Sequence, residues 1–328
     1  MTTIMVLLIS SPKDKNTNAV IDWLARFNCD FMRVDLDTID FNDIQITYLP
    51  RPKILLKLPG ERMIDFDEVS YFFYRGSYLQ ARHSDVEVPE GVSSKEAVSH
   101  LQYESYTTTT YIYQQIAKRC IGLPHNKPLN KLKQLDYANQ VGLKIPKSLV
   151  TGSKQELQDF FGSQSVITKA IQEAVFYQAD DKICYSRTQK VDLEALENHF
   201  FPTMFQEAVE KHLEVRTFYL DGKTYSISMN YAQSNTSVDY RDHYHEMEYL
   251  PFTLPTEVDE KLHELMQKLH LISGSVDFIL NKQGELLFLE VNTQGQYKWV
   301  SGYGGYQLDK EIATFLTSQE QNFQYHGN

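Results

Sequence analysis

Asp277, Glu290 and Asn292 stand in two short apolar runs, Ser275–Leu280 and Leu286–Asn292, separated by the polar turn Asn281-Lys282-Gln283-Gly284. Two apolar runs about a Gly-containing turn predict a β-hairpin. Glu290 and Asn292 are two residues apart and so share one strand face. Asp277, on the partner strand, adds a third oxygen donor. Acids set among Leu, Phe and Val are costly to bury without a cation or a hydrogen-bond donor. Two carboxylates and one amide make a hard, sparse oxygen set, which suits Mg2+ with positions left for water and phosphate. The chemistry implied is that of a metal–nucleotide site. A solvated hairpin face is the plainer alternative.

Such a site has to be positioned by a sizeable fold. The chain has 328 residues, 42% hydrophobic and 12% aromatic, enough for two or three domains or subdomains with a substantial core. Its 32 basic against 43 acidic residues leave a formal charge of −11, which argues against a nucleic-acid or anionic-membrane binder. Cys29, Cys120 and Cys184 lie far apart without a CxxC pair, as expected of reduced cytosolic thiols rather than a zinc site. The run Ile4–Ile9 lacks the basic flank and cleavage pattern of a signal peptide and reads as a buried first strand. No segment approaches the roughly 20 apolar residues of a membrane span. The expected location is the cytoplasm.

Along the first ~120 residues strands alternate with helices, predicting an α/β sheet with parallel strands. Strands are expected at Ile4–Ser10, Phe31–Val34 and Val69–Tyr74, a hairpin at Ile44–Tyr48 and Lys53–Leu58, and a long helix at Glu96–Ala117. A Pro/Gly cluster from Gly122 to Pro128 marks a boundary. Beyond it a helix, Leu129–Val141, closes at Gly142, a plausible C-terminal cap. Further strands are expected at Ser148–Thr151, Ser165–Ala170, Met204–Ala208, Val215–Leu220 and Thr224–Met229. Phe176–Gln178 and Lys182–Ser186 flank a second hairpin turn, and Asp221-Gly222 is the strongest two-residue hairpin signal in the chain. Helices are expected at Lys154–Phe161 and Glu257–Leu271. Asn230–Phe252 reads as a long functional loop, and Gly302, Gly304 and Gly305 as a mobile turn.

Five segments in this order resemble an ATP-grasp ligase. Asn130-Lys131, opening a helix that ends in Gly142-Leu143-Lys144-Ile145-Pro146, resembles that superfamily's entry to its central subdomain. Ile167-Thr168-Lys169 resembles the strand bearing its second nucleotide lysine. Phe205-Gln206-Glu207-Ala208-Val209 resembles the linker that meets adenine. Glu214-Val215-Arg216 resembles the strand of the ribose acid and phosphate arginine, and Asp277 with Glu290-Val291-Asn292 resembles the metal set. The N-terminal run Val6–Ser10, Asp14, Asn16-Thr17 and Val20–Leu24 is similar to graspetide-forming ligases, the microviridin-type and "grasp-with-spasm" maturases that macrocyclise ribosomal peptides. Phe73-Tyr74-Arg75 and Val238-Asp239-Tyr240-Arg241 are similar to two further segments of that group.

The resemblance implies an ATP-grasp fold in three parts: an N-terminal α/β domain at 1–125, a central subdomain at 126–208 and a C-terminal subdomain at 209–328. It implies ATP and two Mg2+ ions as cofactors, with Asp277, Glu290 and Asn292 holding metal and Glu290 bridging. Lys131 and Lys169 would meet phosphates, Gln206, Glu207, Ala208 and Val209 the base, and Glu214 the ribose. Arg216 would neutralise the transferred phosphoryl group, Arg241 would contact the substrate carboxylate and Asp239 would orient it or the nucleophile. The implied partner is a precursor peptide, its leader held near the hairpin between Ile171 and Val191. The implied reaction joins Asp or Glu side chains to Ser, Thr or Lys as ω-esters or ω-amides. Homodimers occur in the resembled family. Two alternatives stay open: a ligase for free amino acids or for glutamate on a protein tail, and a non-catalytic nucleotide- or peptide-binding module. Residue by residue, Glu214 with Arg216 also reads as a cross-strand ion pair, Arg75 as a structural strand-end arginine, and His243 with His245 as solvated loop histidines.

Overall fold

A computed structural model describes residues 5–58, 60–79, 93–123, 129–171, 176–179, 182–185, 188–231 and 247–318, with only the backbone described at 176–179, 182–185 and 231. The chain divides into two units, Met1–Pro128 with Gln307–Asn328, and Leu129–Tyr306.

In the first unit, β1 (Met5–Ile9), β2 (Asp30–Val34), β6 (Val69–Tyr74) and β7 (Cys120–Ile121) form a parallel sheet in the order β2-β1-β6-β7. The run Val6–Ile9 is apolar at every position because both faces are covered, and all four residues are buried. Helix α1 (Lys15–Arg26) begins where the Asp14 carboxylate accepts the Thr17 N–H at 2.6 Å, and its Val20 and Leu24 are buried one turn apart. Between β2 and β6 lies an antiparallel three-stranded sheet, β3 (Ile44–Thr47), β4 (Lys53–Lys57) and β5 (Met63–Asp65). Ile54, Leu56 and Ile64 from that sheet join Leu7, Ile9, Phe72 and Tyr74 in one core with Ile112 and Ile116 of α2 (Ser94–Ala117). The last helix, Leu308–Thr317, packs on α1 through Lys310 over the Trp23 ring, and its Phe315 meets Tyr71.

The second unit opens with α3 (Lys131–Gln140), whose first turn is capped by Asn130 through Leu132 N at 2.9 Å and Lys133 N at 3.3 Å. Gly142 follows the helix with φ +78°, the left-handed turn that glycine adopts without penalty. Strands β8 (Ser148–Ser153), β9 (Val166–Lys169), β12 (Gln189–Lys190) and β13 (His199–Glu207) form an antiparallel sheet in the order β12-β9-β13-β8. Helix α4 (Lys154–Phe161) covers one face of it, burying Leu157 and Phe161 against Val166 and Phe205. A separate hairpin, β10 (Phe176–Ala179) with β11 (Lys182–Tyr185), occupies the expected position.

A five-stranded antiparallel sheet completes this unit, in the order β16-β15-β14-β17-β18. Its strands are β14 (Lys211–Leu220), β15 (Lys223–Tyr231), β16 (Met247–Phe252), β17 (Ser273–Asn281) and β18 (Leu286–Asn292). Asp221 and Gly222 both have positive φ, 43° and 84°, the twist that lets two residues join β14 to β15. Helix α5 (Thr256–Lys268) buries Leu262, Leu265 and Met266, and α6 (Lys298–Gly304) follows β18.

Two expectations fail. Asn230–Phe252 is not a loop throughout: β15 runs to Tyr231 and β16 occupies Met247–Phe252. Pro251 argues against a strand in the sequence, yet β16 is an edge strand, where a missing N–H is tolerated. The glycines at 302 and 304 lie in helix α6 rather than a turn, and Gly305 closes it at φ +69°. Burial of Val300 and of the adjoining Tyr297 outweighs the weak helix propensity of glycine there.

Candidate metal and nucleotide site

β14 lies at the centre of the five-stranded sheet, and its register sets the site. Arg216 pairs across to Asp277 on β17, and Asp277 pairs across to Glu290 on β18. These three side chains form one cross-strand row on one face. The flanking Val276 and Phe278 are buried on the other face. A register shift between Asp277 and Phe278 leaves Leu289 as an extra residue on β18, so Phe278 pairs with Phe288 while Asp277 still meets Glu290. Arg216 makes a direct ion pair with Asp277, each side chain 14% exposed, and its Nη2 lies 3.9 Å from Glu214 Oε2. Glu214 Oε1 also meets Lys211 Nζ at 3.0 Å. The ion-pair reading of Glu214 with Arg216 is thus part of a wider alternation of acids and cations.

Two lysines approach from other elements. The Asn130 cap fixes the first turn of α3, which carries Lys131. Lys131 Nζ lies 3.1 Å from Glu290 Oε2 and donates to the Ala170 carbonyl at 3.4 Å. Lys169 ends β9. Val166 and Phe205 bury against α4, so Ile167 and Lys169 lie on the opposite face of that sheet. Burial lowers the Lys169 ammonium from its ordinary value, the nearby Lys131 adds to this, and Glu290 opposes it. Burial alone would raise the Glu290 carboxyl, but Lys131, Lys169 and Arg216 hold it below the usual range. Two lysines around one acid form a cluster with charge available for phosphate oxygens.

The segment Gln206–Val209 connects the four-stranded and five-stranded sheets of this unit. Gln206 is buried and its Nε2 donates to Ser148 Oγ at 2.8 Å, so the side-chain amide pins β13 to β8. The Glu207 N–H donates to the Lys147 carbonyl at 3.0 Å, and its Oε1 accepts the Lys147 N–H at 3.0 Å. The Ala208 N–H donates to the Ser165 carbonyl at 2.8 Å, and Val209 leads into β14.

Asn292 pairs with Ser275 and follows Glu290 on the same face. Its Oδ1 accepts the Gln294 N–H at 3.0 Å, and its carbonyl accepts the Gly295 N–H at 3.2 Å. The buried Ser275 hydroxyl, beside Asn292, has no hydrogen-bond partner. Among the described residues no cluster of three or more His, Cys, Asp or Glu side chains is placed to hold a metal ion. A smaller donor set could hold Mg2+: the Asp277 and Glu290 carboxylates with the Asn292 amide oxygen, hard donors that would leave positions for phosphate and water. In this structure the cations Lys131 and Arg216 lie against the two carboxylates.

One residue that the sequence reading missed is Gln134. Its side chain is buried and hydrogen-bonds the backbone of Val291, between Glu290 and Asn292. Helical spacing puts it on the same face as Lys131, but nothing in its type marks it as part of the site. Arg241, Asp239, His243 and His245 lie outside the described residues. Arg75 belongs to the first unit, at the end of β6, where its N–H donates to the Ile9 carbonyl at 2.9 Å.

No protein-family model matches the chain, and no curated protein is similar to it in sequence. Solved structures are similar over almost its whole length. A RiPP-associated ATP-grasp ligase of Chryseobacterium gregarium, in complex with ADP and a leader and core peptide, superposes with a TM-score of 0.76 at 21% identity, covering 96% of each chain. The macrocyclase MdnC of Microcystis aeruginosa MRC, bound with precursor peptide MdnA, gives 0.71 at 22% identity, over 96% of this chain and 99% of that one. The macrocyclase MdnB of the same organism gives 0.68 at 24% identity over the same shares. The fold is therefore that of the ATP-grasp ligases, as the sequence led us to expect.

Proposed function

We propose that the protein is an ADP-forming ATP-grasp ligase that crosslinks a ribosomal precursor peptide in the cytoplasm. The reading is carried by the alternation of cations and acids along Lys131, Glu290, Asp277 and Arg216, with Lys169 beside them. The bound peptides of the similar ligases support the peptide as partner.

Phosphoryl transfer is catalysed mostly by positioning and charge neutralisation. Lys131 and Lys169 hold phosphate oxygens as point charges, and Arg216 offers a planar fork to the transferred group. The backbone of Gln206–Val209 meets the base, and Glu214 accepts from ribose hydroxyls. Asp277, Glu290 and Asn292 would hold Mg2+, two ions in all. When bound, Mg2+ neutralises repulsion between the γ-phosphate and the substrate carboxylate. An Asp or Glu side chain of the peptide attacks the γ-phosphorus and ADP departs. A Ser or Thr hydroxyl, or a Lys amine, then attacks the acyl carbon. Inorganic phosphate leaves, the nucleophile's proton is lost, and an ω-ester or ω-amide remains. Arg241 contacts the carboxylate or acyl phosphate, and Asp239 orients it.

Mass spectrometry of the precursor after incubation with the protein, ATP and Mg2+ tests this. Loss of the mass of one water per condensation is expected, absent with Glu290→Gln. Arg241→Ala should still bind ATP and yield no product. A mass gain equal to an added amino acid would move the assignment to an amino-acid or glutamate ligase. No ADP release with any acceptor would leave a binding module.

A further inference from the structure

β18 is the edge strand of the five-stranded sheet, so the backbone groups on its outer side need partners from elsewhere. Two are supplied by one side chain. The Val291 N–H donates to Gln134 Oε1 at 2.6 Å, and Gln134 Nε2 donates to the Val291 carbonyl at 3.3 Å. The amide of Gln134 thus acts as a peptide group of an additional strand, pairing reciprocally with one residue of β18. Nε2 also donates to the Leu129 carbonyl at 3.2 Å, just before the Asn130 cap. Gln134 is 2% exposed and Val291 4% exposed, so water does not compete for these bonds.

The location gives the clamp a consequence. Val291 stands between Glu290 and Asn292, and Gln134 stands one helical turn after Lys131. Two rigid elements are therefore joined at a point one residue from the acid and one turn from the lysine. The Lys131–Glu290 contact at 3.1 Å is made by two flexible side chains whose backbones this clamp holds in register. One helix and one edge strand packed only through apolar side chains could slide along the strand axis. A reciprocal amide pair fixes that coordinate, because a shift of about one residue rise, roughly 3.3 Å, would break both bonds.

We propose that Gln134 is a positioning residue for the phosphate and metal site, setting the distance between the Lys131 ammonium and the Glu290 and Asn292 donors. This rests on the ATP-grasp ligase reading above and names a residue that acts through others, touching neither nucleotide nor metal.

The test is calorimetric titration of the full chain with ATP, with Mg2+ and with EDTA, for wild type, Gln134→Met, Lys131→Met and the double variant. The ratio of affinities with and without Mg2+ is the readout. Gln134→Met should lower that ratio at least tenfold. The double variant should lose no more than Lys131→Met alone, since both act through one placement. Losses that multiply would show a separate structural role and overturn the proposal, as would an unchanged ratio. If Gln134→Met fails to fold, Gln134→Glu keeps the volume and the acceptor for the Val291 N–H but sets an oxygen against the carbonyl. It should show the same selective loss, and a wild-type ratio would overturn the proposal. A wild type that binds no Mg2+–ATP would sink the ligase reading, and the proposal with it. A binding wild type with unaltered variants would sink the clamp alone.

Discussion

Arg216 illustrates how closely charge is balanced at this site. It meets Asp277 directly and approaches Glu214 at 3.9 Å, and all three side chains are at most 14% exposed. Removing one partner of a largely buried ion pair leaves the other desolvated. Arg216→Met should therefore lower unfolding free energy by about 3–5 kcal/mol in urea titration. Part of that loss should return with Mg2+ and ADP, because a cation bound by Asp277 would replace the missing guanidinium. Full loss with nucleotide present would argue that Asp277 binds no metal. The same residue logic explains why Glu290 remains an anion although it is half-buried: three cations outweigh its burial.

At the scale of elements, the hairpin β17–β18 carries the acids, and the turn after it keeps Asn292 in place. Gly295 donates its N–H to the Asn292 carbonyl, and a Cβ at that position would strike the Ser275 side chain. Ser275 pairs with Asn292, so there is little room to yield without moving the candidate donor. Gly295→Ala should cost about 1–3 kcal/mol by overpacking and weaken Mg2+-dependent nucleotide binding as well. Thermal unfolding with and without Mg2+–ADP measures both. An unchanged midpoint would show that the turn can relax away from Ser275. The chain marked these elements clearly where local chemistry was strong. The Asp221-Gly222 turn and helix Lys154–Phe161 stand where the sequence placed them. Strand β16 and helix α6 stand where a loop and a turn are expected, because pairing along β15 and tertiary burial are not written in the local sequence.

Over the whole molecule, both units hold tyrosines in surroundings that oppose ionisation. Burial pushes Tyr219 up to about 12, and its hydroxyl lies 2.6 Å from His263 Nδ1. Tyr74 and Tyr113 in the first unit are also raised by burial. A raised acid binds its proton more tightly in the folded state. Its contribution is complete below the unfolded tyrosine value of about 10 and is lost as pH rises through the folded value. Urea midpoints should thus stay level up to about pH 10 and fall beyond it, with a shallower fall in Tyr219→Phe. A flat profile to pH 12 would show that Tyr219 is not enclosed as described. None of the described helices is long and apolar enough to cross a membrane.

By itself the sequence determined the kinds of chemistry available. Asp277, Glu290 and Asn292 were legible as one set of hard oxygen donors because period-two spacing in an apolar hairpin fixes which side chains share a face. Lys131, Lys169, Glu214 and Arg216 were legible only as an ordered resemblance, since a lone lysine at a helix start or strand end has ordinary structural uses. Tertiary structure decided which of these meet. The register of β14 against β17 and β18 brings Arg216 to Asp277 and Asp277 to Glu290, and α3 brings Lys131 to Glu290. Gln134 became visible only then. Its partner lies 157 residues away and is a backbone peptide, and main-chain groups leave no signature in residue type.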